Sequence, residues 1–277
     1  MGDVWAVGDA YEAYVGRWSR PVAAEFLRWL TAPEDEQRAV PGDEQRAAPA
    51  GGRWLDAGCG TGALTGAVLA AASPALVVGV DMSRGFLAEA RAHLPAARFV
   101  AGDASALPLG EARFDAVVSG LALNFVPGAQ RAVNEFARVA APGATVAVYV
   151  WDYTTGMQMM RHFWDASLEV DPAAADQDEG PRFPICHPGA LAQAWTDAGL
   201  RDVETRPIEI PTVFADFDDY WRPFLGGQGA APAYLARLRP DRQRAIRDLL
   251  DARLPRDGDG KIALTARAWA VRGEAPR

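Results

Sequence analysis

From Arg53 onward, short apolar runs alternate with segments whose apolar residues recur at helical spacing. Trp54-Leu55 leads into Gly58-Cys59-Gly60-Thr61-Gly62, followed by a predicted helix that stops at Ser73-Pro74. Leu76 to Val80 is a continuous apolar run, the pattern of a strand buried on both faces. A helix is expected from about Ser83 to His93, then strands at Arg98 to Ala101 and Phe114 to Ser119. Val133, Phe136, Ala137 and Ala140 fall on one helical stripe ending before Pro142-Gly143, and Ala144 to Trp151 reads as a fifth strand. Such alternation predicts an α/β fold: a doubly wound, mostly parallel sheet with helices on both faces.

The flanks keep a different rhythm. Residues 1–30 are rich in aromatics and end in a predicted helix opened by Pro21, with Val22, Phe26, Trp29 and Leu30 inward. A polar stretch follows in which Asp35-Glu36-Gln37-Arg38-Ala39 returns as Asp43-Glu44-Gln45-Arg46-Ala47, read as a solvated loop. Residues 152–186 look irregular. Pro188 then opens a helix with Leu191, Ala194 and Trp195 inward, and a strand is expected at about Asp202 to Ile210. Residues 211–260 depart again, with a helix from Pro240, before a closing strand at Ile262 to Val271. The expected organisation is an N-terminal cap and loop (1–50), a cofactor-binding core (51–151), and a remainder (152–277) in the same domain. That remainder carries helical lid insertions at about 152–186 and 211–260.

Composition narrows the function. The chain has 277 residues and a formal charge of −8. Nucleic-acid affinity rests on clustered Lys and Arg, so no nucleic-acid partner is expected. Two cysteines (Cys59, Cys186) and three histidines (His93, His162, His187) offer neither a disulfide framework nor metal-ligand spacing, so no metal is expected. The longest apolar stretch, Ala63 to Val80, is broken by Gly66 and Ser73-Pro74, and the N-terminus lacks a signal-peptide pattern. A cytoplasmic protein without membrane insertion is expected.

The glycine-rich turn carries the chemistry. Gly58-x-Gly60-x-x-Ala63 fits a loose dinucleotide fingerprint, in which a helix N-terminus holds a pyrophosphate. Asp56, two places before the first glycine, is unfavourable beside pyrophosphate but suits an α-ammonium. Asp81 ends the second strand, where a carboxylate accepts ribose hydroxyls. Asp103 follows the third strand, within reach of an adenine amino group. Three acids at successive strand ends, with no basic residue in the loop, fit a phosphate-free, cationic adenosyl ligand.

Taken together, Trp54-Leu55-Asp56-Ala57-Gly58-Cys59-Gly60-Thr61-Gly62, Gly79-Val80-Asp81-Met82-Ser83, Gly102-Asp103-Ala104 and Phe114-Asp115 resemble the motifs of class I S-adenosylmethionine methyltransferases. The run Ser119 to Val126 and the helix before Pro142-Gly143 are similar to the ubiquinone/menaquinone-type, "type 11", group. The resemblance implies a seven-stranded Rossmann-like sheet with a lid and S-adenosyl-L-methionine as cofactor. It places Asp56, Ala57, Gly58, Cys59 and Gly60 along the methionine part, Asp81 on the ribose and Met82 on the adenine face. Asp103 and Ala104 would meet the adenine edge, and Ser119 the methionine end. Tyr11, Tyr14, Arg17 and Trp18 resemble the N-terminal segment that folds over the cofactor in related enzymes.

Methyl transfer is an in-line displacement at an already activated carbon, so alignment and exclusion of water can supply much of the acceleration. A general base is needed only for an acceptor that keeps its proton. The candidates are His162, His187, Asp152 and Tyr153, with Asn124 facing the presumed methyl path. Aromatic residues in the insertions, Trp151, Trp164 and Trp221 among them, point to an apolar or aromatic small-molecule acceptor, although core packing accounts for many of them. The arginines between Arg237 and Arg256 alternate with Asp241, Asp248 and Asp251, which reads as a salt-bridged face. A nicotinamide-dependent oxidoreductase, a non-catalytic adenosyl-binding module and an RNA or protein methyltransferase are the competing readings. The acceptor, the atom methylated and the oligomeric state are not written in the sequence.

Overall fold

The computed structural model describes residues 16–32, 48–227 and 229–277. Tyr11, Tyr14 and the duplicated polar segment lie outside the described residues. In chain order the elements that concern the site are α1 (Arg17–Thr31), β1 (Arg53–Ala57), α2 (Ala63–Ala71), β2 (Leu76–Asp81), α3 (Arg84–His93), β3 (Arg98–Ala101), β4 (Phe114–Gly120), α4 (Ala129–Val139) and β5 (Ala140–Trp151). There follow α5 (Gln158–Val170), α6 (Glu179–Arg182), α7 (Pro188–Asp197), β6 (Arg201–Phe214), α8 (Phe217–Trp221), α9 (Ala230–Arg237), α10 (Pro240–Arg253) and β7 (Ile262–Glu274).

The strands form one mixed seven-stranded sheet in the order β3-β2-β1-β4-β5-β7-β6. β1 pairs in parallel with β2 and β4, β2 with β3, and β4 with β5. β7 runs against β5, because Gly143 bonds to Ala275 while Asp152 bonds to Arg267. Burial explains the apolar runs: Leu55, Ala116, Val117, Val118, Val146 and Val148 are wholly enclosed, as strands covered on both faces must be.

The chain divides into two compact units. The larger holds Ser19–Val150, Ile185–Ile208 and Trp269–Arg277. Here α1 buries Val22, Phe26, Leu27 and Leu30, with the Phe26 ring 4.6 Å from that of Tyr149. The helix begins at Arg17, not at Pro21 as expected, so the proline sits inside it rather than at its first turn. Ser83 caps α3 by accepting from the Phe86 N–H. Trp195 on α7 donates to the Val146 carbonyl (2.9 Å), fastening that helix to the sheet.

The smaller unit holds Trp151–Pro184 and Glu209–Ala268, with the described residues before Ser19. Residues 152–186, read as irregular, contain helix α5. Its buried residues Met159, Met160, Phe163, Trp164 and Ser167 repeat at helical spacing. Phe163 stacks on Phe224 (4.5 Å), Trp164 meets Tyr234 (5.5 Å), and the Tyr220 hydroxyl donates to the Met159 carbonyl (2.8 Å). The unit thus owns an aromatic core. The α10 arginines behave as expected of a salt-bridged face, pairing Arg242 with Asp171, Arg247 with Asp218 and Arg253 with Glu169.

Candidate active site

The glycine loop lies between β1 and α2 in the larger unit. Gly58 and Cys59 both donate to the Val80 carbonyl (2.7 and 3.0 Å), which ties the loop to the end of β2. Gly58 and Gly60 have φ of +75° and +53°, a region that favours glycine. At Gly58 an added Cβ would stand 2.5 Å from the Ala122 Cβ, whereas at Gly60 it would meet nothing within 4 Å. The loop is therefore closely backed on one side and open on another.

Asp81 fixes this geometry. Its Oδ2 accepts from the Gly60 N–H (2.9 Å) and its Oδ1 from the Ser83 N–H (2.7 Å). Each carboxylate oxygen keeps a further lone pair for another donor. The next residue, Met82, is an apolar side chain left 71% exposed. Asp103 accepts at Oδ1 from the Ser105 N–H and hydroxyl (2.7 and 2.8 Å), and Ala104 beside it is buried.

Asp56 is buried rather than exposed at the strand tip. The Thr65 hydroxyl, on α2, donates to its Oδ2 (2.7 Å), while Oδ1 is enclosed and meets no partner among the described residues. Loss of water raises its pKa to about 7; the Thr65 bond opposes the rise and the nearby Asp81 charge adds to it. Thr65 escaped the sequence reading, because a single Thr in an alanine-rich helix carries no pattern.

Ser119, at the end of β4, and Asn124 in the short turn after it are also buried. The Ser119 Oγ and Asn124 Nδ2 are enclosed without partners among the described residues. Between them Leu121 has φ of +57°, an uncommon conformation for a branched side chain, held by its N–H bond to the Tyr149 carbonyl (2.8 Å). Asp56, Ser119 and the glycine loop belong together: the Ser119 Oγ is among the nearest atoms to a Cβ placed on Gly58. Cys59 faces away, packed with Leu87, Ala90 and Phe99, and burial pushes its thiol pKa up. It contributes backbone and packing to the loop, not a reactive sulfur.

The other candidates have structural employment. His187 is exposed and caps α7, its Nδ1 accepting from the Gly189 N–H (3.2 Å). Asp152 is buried and occupied by the Thr154 and Thr155 amides, the Thr155 hydroxyl and Arg267. His162 is half-buried in the smaller unit, where loss of water lowers its pKa and favours the neutral ring. Trp151 and Trp221 are buried, and Trp164 is fully so, its indole N–H donating to Glu179 Oε2 (2.5 Å). Glu179 is a buried carboxyl that sequence reasoning missed; burial raises its pKa to about 7. Arg17 and Trp18 lie in the smaller unit beside Phe214 and Asp219.

The raised acids give a pH dependence. A carboxyl with a folded pKa above its unfolded value stabilises the fold most below the unfolded pKa, and that contribution disappears as pH rises through the folded one. For Asp56 the window runs from 3.8 to about 7. Ligand-free protein is expected to lose about 2 kcal/mol per such group between pH 5 and 7. Thermal melts of wild type and Asp56→Asn across that range check this. The variant should show a visibly flatter Tm profile, and equal slopes would refute the assignment.

A family model described as a methyltransferase domain matches residues 55–148. The demethylmenaquinone methyltransferase of Roseiflexus sp. (strain RS-1) is 42% identical over 177 residues, covering 57% of this chain and 72% of that protein. A malonyl-[acyl-carrier protein] O-methyltransferase of Methylococcus capsulatus is 35% identical over 117 residues, which span 41% of this chain and only 42% of that protein. Among solved structures, the YcgJ protein of Bacillus subtilis aligns with a TM-score of 0.55 at 18% identity, covering 83% of this chain and 94% of that one. A Haemonchus contortus phosphoethanolamine N-methyltransferase 2, solved with S-adenosylhomocysteine, aligns at 0.52 and 14% identity, covering 99% and 61%. Structural likeness at such identities speaks for the fold.

Proposed function

The chain belongs to the class I S-adenosylmethionine-dependent methyltransferases of the type 11 group, and from that premise we propose that it methylates a small, apolar or aromatic acceptor by in-line displacement. The cofactor supplies a methyl group already activated by a sulfonium. The observation that carries the assignment of residues is the Asp56 Oδ1, enclosed and without a partner among the described residues, beside an open glycine loop. An α-ammonium there would satisfy a buried oxygen that otherwise lacks a partner. Asp81 offers its spare lone pairs to ribose hydroxyls, exposed Met82 offers an apolar face to adenine, and Asp103 with the Ala104 backbone reads the adenine edge. The Ser119 hydroxyl binds the methionine end. A nicotinamide dinucleotide fits this set poorly, because its pyrophosphate would face Asp56 with no basic side chain in the loop.

For the acceptor, the support is the aromatic content of the helical insertions, read as a lid, and the quinone named in several relatives. Methyl transfer from radiolabelled S-adenosylmethionine to a panel of phenols, hydroquinones and aryl amines tests it. With the best acceptor, Trp221→Ala and Trp164→Phe are expected to raise KM at least fivefold while leaving affinity for S-adenosylhomocysteine unchanged. Unchanged KM in folded variants would end the aromatic-pocket reading. Label entering only RNA or protein would end the small-molecule one.

A further inference from the structure

Asp56 is held by one oxygen, and the group that holds it comes from the helix that follows the glycine loop. Helix α2 opens at Gly62, which has a φ of +95° and provides no side-chain cap. The Gly66 N–H is the first to close on a carbonyl of that turn (Gly62, 2.8 Å), so the amides of Ala63 to Thr65 have no acceptor within the helix. Asp56 stands at this end of α2, where a carboxylate is favoured by unpaired donors and by the helix dipole. A threonine inside a helix ordinarily returns its hydroxyl to the carbonyl three or four residues back. Thr65 instead reaches out of α2 to Asp56 Oδ2 (2.7 Å), and it is wholly buried. The turn that carries it is fixed in place: a Cβ on Gly62 would stand 2.6 Å from Cδ1 of Leu94, the residue that ends α3.

This bond acts on both oxygens of the acid. It takes up Oδ2 and leaves Oδ1, enclosed and without a partner among the described residues, as the oxygen for a ligand. It also favours the ionised carboxyl against the burial that raises its pKa to about 7, as the Thr65 amide does. Of the groups around Asp56, Asp81 on β2 pushes in the same direction as burial, while the Cys59 thiol in the loop stays neutral because burial pushes it up. Ser119 on β4 carries no charge. An ammonium binds an ionised acid far better than a neutral one, so the Thr65 hydroxyl acts on affinity through Asp56. We infer that Thr65 is a positioning residue for the amino-acid end of the adenosyl ligand. Its hydroxyl holds Asp56 by Oδ2 so that Oδ1 receives the α-ammonium, the latter resting on the reading of Asp56 above.

Thr65→Val keeps the shape and removes the hydroxyl, Thr65→Ser keeps the hydroxyl, and Thr65→Ala replaces the valine variant should that one fail to fold. Calorimetry with S-adenosylhomocysteine and with 5′-methylthioadenosine, which lacks the amino-acid end, measures affinity across the neutral pH range. The carbon-13 signal of the Asp56 carboxyl is followed over the same range in the ligand-free proteins. In wild type, S-adenosylhomocysteine affinity should fall as pH drops through about 7. In Thr65→Val the midpoint should move up by about one pH unit, which makes binding about tenfold weaker on the acid side. The ligand-free carboxyl signal should move with it, methylthioadenosine affinity should stay unchanged, and Thr65→Ser should match wild type. An unmoved midpoint in the folded variant overturns the inference, as does a Thr65→Ser protein that titrates like Thr65→Val. Equal weakening for both ligands would mean a collapsed loop and overturns it too. If wild type binds neither ligand while the Asp56 signal still moves in Thr65→Val, the adenosyl reading falls and takes the ammonium with it, and the hold of Thr65 on Asp56 stands.

Discussion

Replacing Asp81 with alanine should weaken binding of S-adenosylhomocysteine by more than 100-fold, about 3 kcal/mol or more. Two losses combine. The ribose hydroxyls forfeit charge-assisted bonds, and the Gly60 and Ser83 amides forfeit the carboxylate that sets the loop. Asp81→Asn separates them: its single carbonyl oxygen can hold one amide, so the loop is only half restored and affinity should fall between wild type and alanine. Far-UV circular dichroism should remain unchanged, since Asp81 ends its strand and supports no core. Calorimetry measures the ordering, and an alanine variant that binds as wild type would remove Asp81 from the site.

Gly58→Ala is expected to cost about 3 kcal/mol of stability and to weaken the same ligand. The substitution puts Cβ 2.5 Å from the Ala122 Cβ at a backbone φ of +75°, so overpacking and backbone strain add. A second change distinguishes them. Ala122→Gly removes the clashing methyl and should recover roughly half of the loss, leaving the left-handed strain of about 1 kcal/mol in place. Urea denaturation of both variants reads this directly. A double variant no more stable than Gly58→Ala alone would mean that the Ala122 contact is not the cause.

The sheet was legible because buried parallel strands demand unbroken apolar runs, and Leu76 to Val80 or Ala144 to Trp151 can do little else. The glycine loop with Asp56, Asp81 and Asp103 was legible because each sits at a fixed offset from a strand end. What escaped depends on three-dimensional neighbours. Thr65 acquires its role from a carboxylate nine residues earlier that folding brings within 2.7 Å. Helix α5 was not delimited within the helical insertion expected at 152–186, because its Phe and Trp residues were read for chemistry before they were read for spacing. The start of α1 was misplaced because Pro21 was taken for a first-turn residue. His187 and Asp152 have the right chemistry for catalysis, but their hydrogen bonds assign them to a helix cap and a turn.

On the proposed function, the glycine loop and its three acids hold an adenosyl ligand through an ammonium rather than a pyrophosphate. Titrating the wild-type protein with S-adenosylmethionine and, separately, with NADH tests it most directly. S-adenosylmethionine is expected to bind saturably at one site, with affinity that weakens as pH falls below 7, where Asp56 takes up a proton, and NADH to show no detectable binding. Binding of NADH in place of S-adenosylmethionine, or of neither by folded protein, would contradict it.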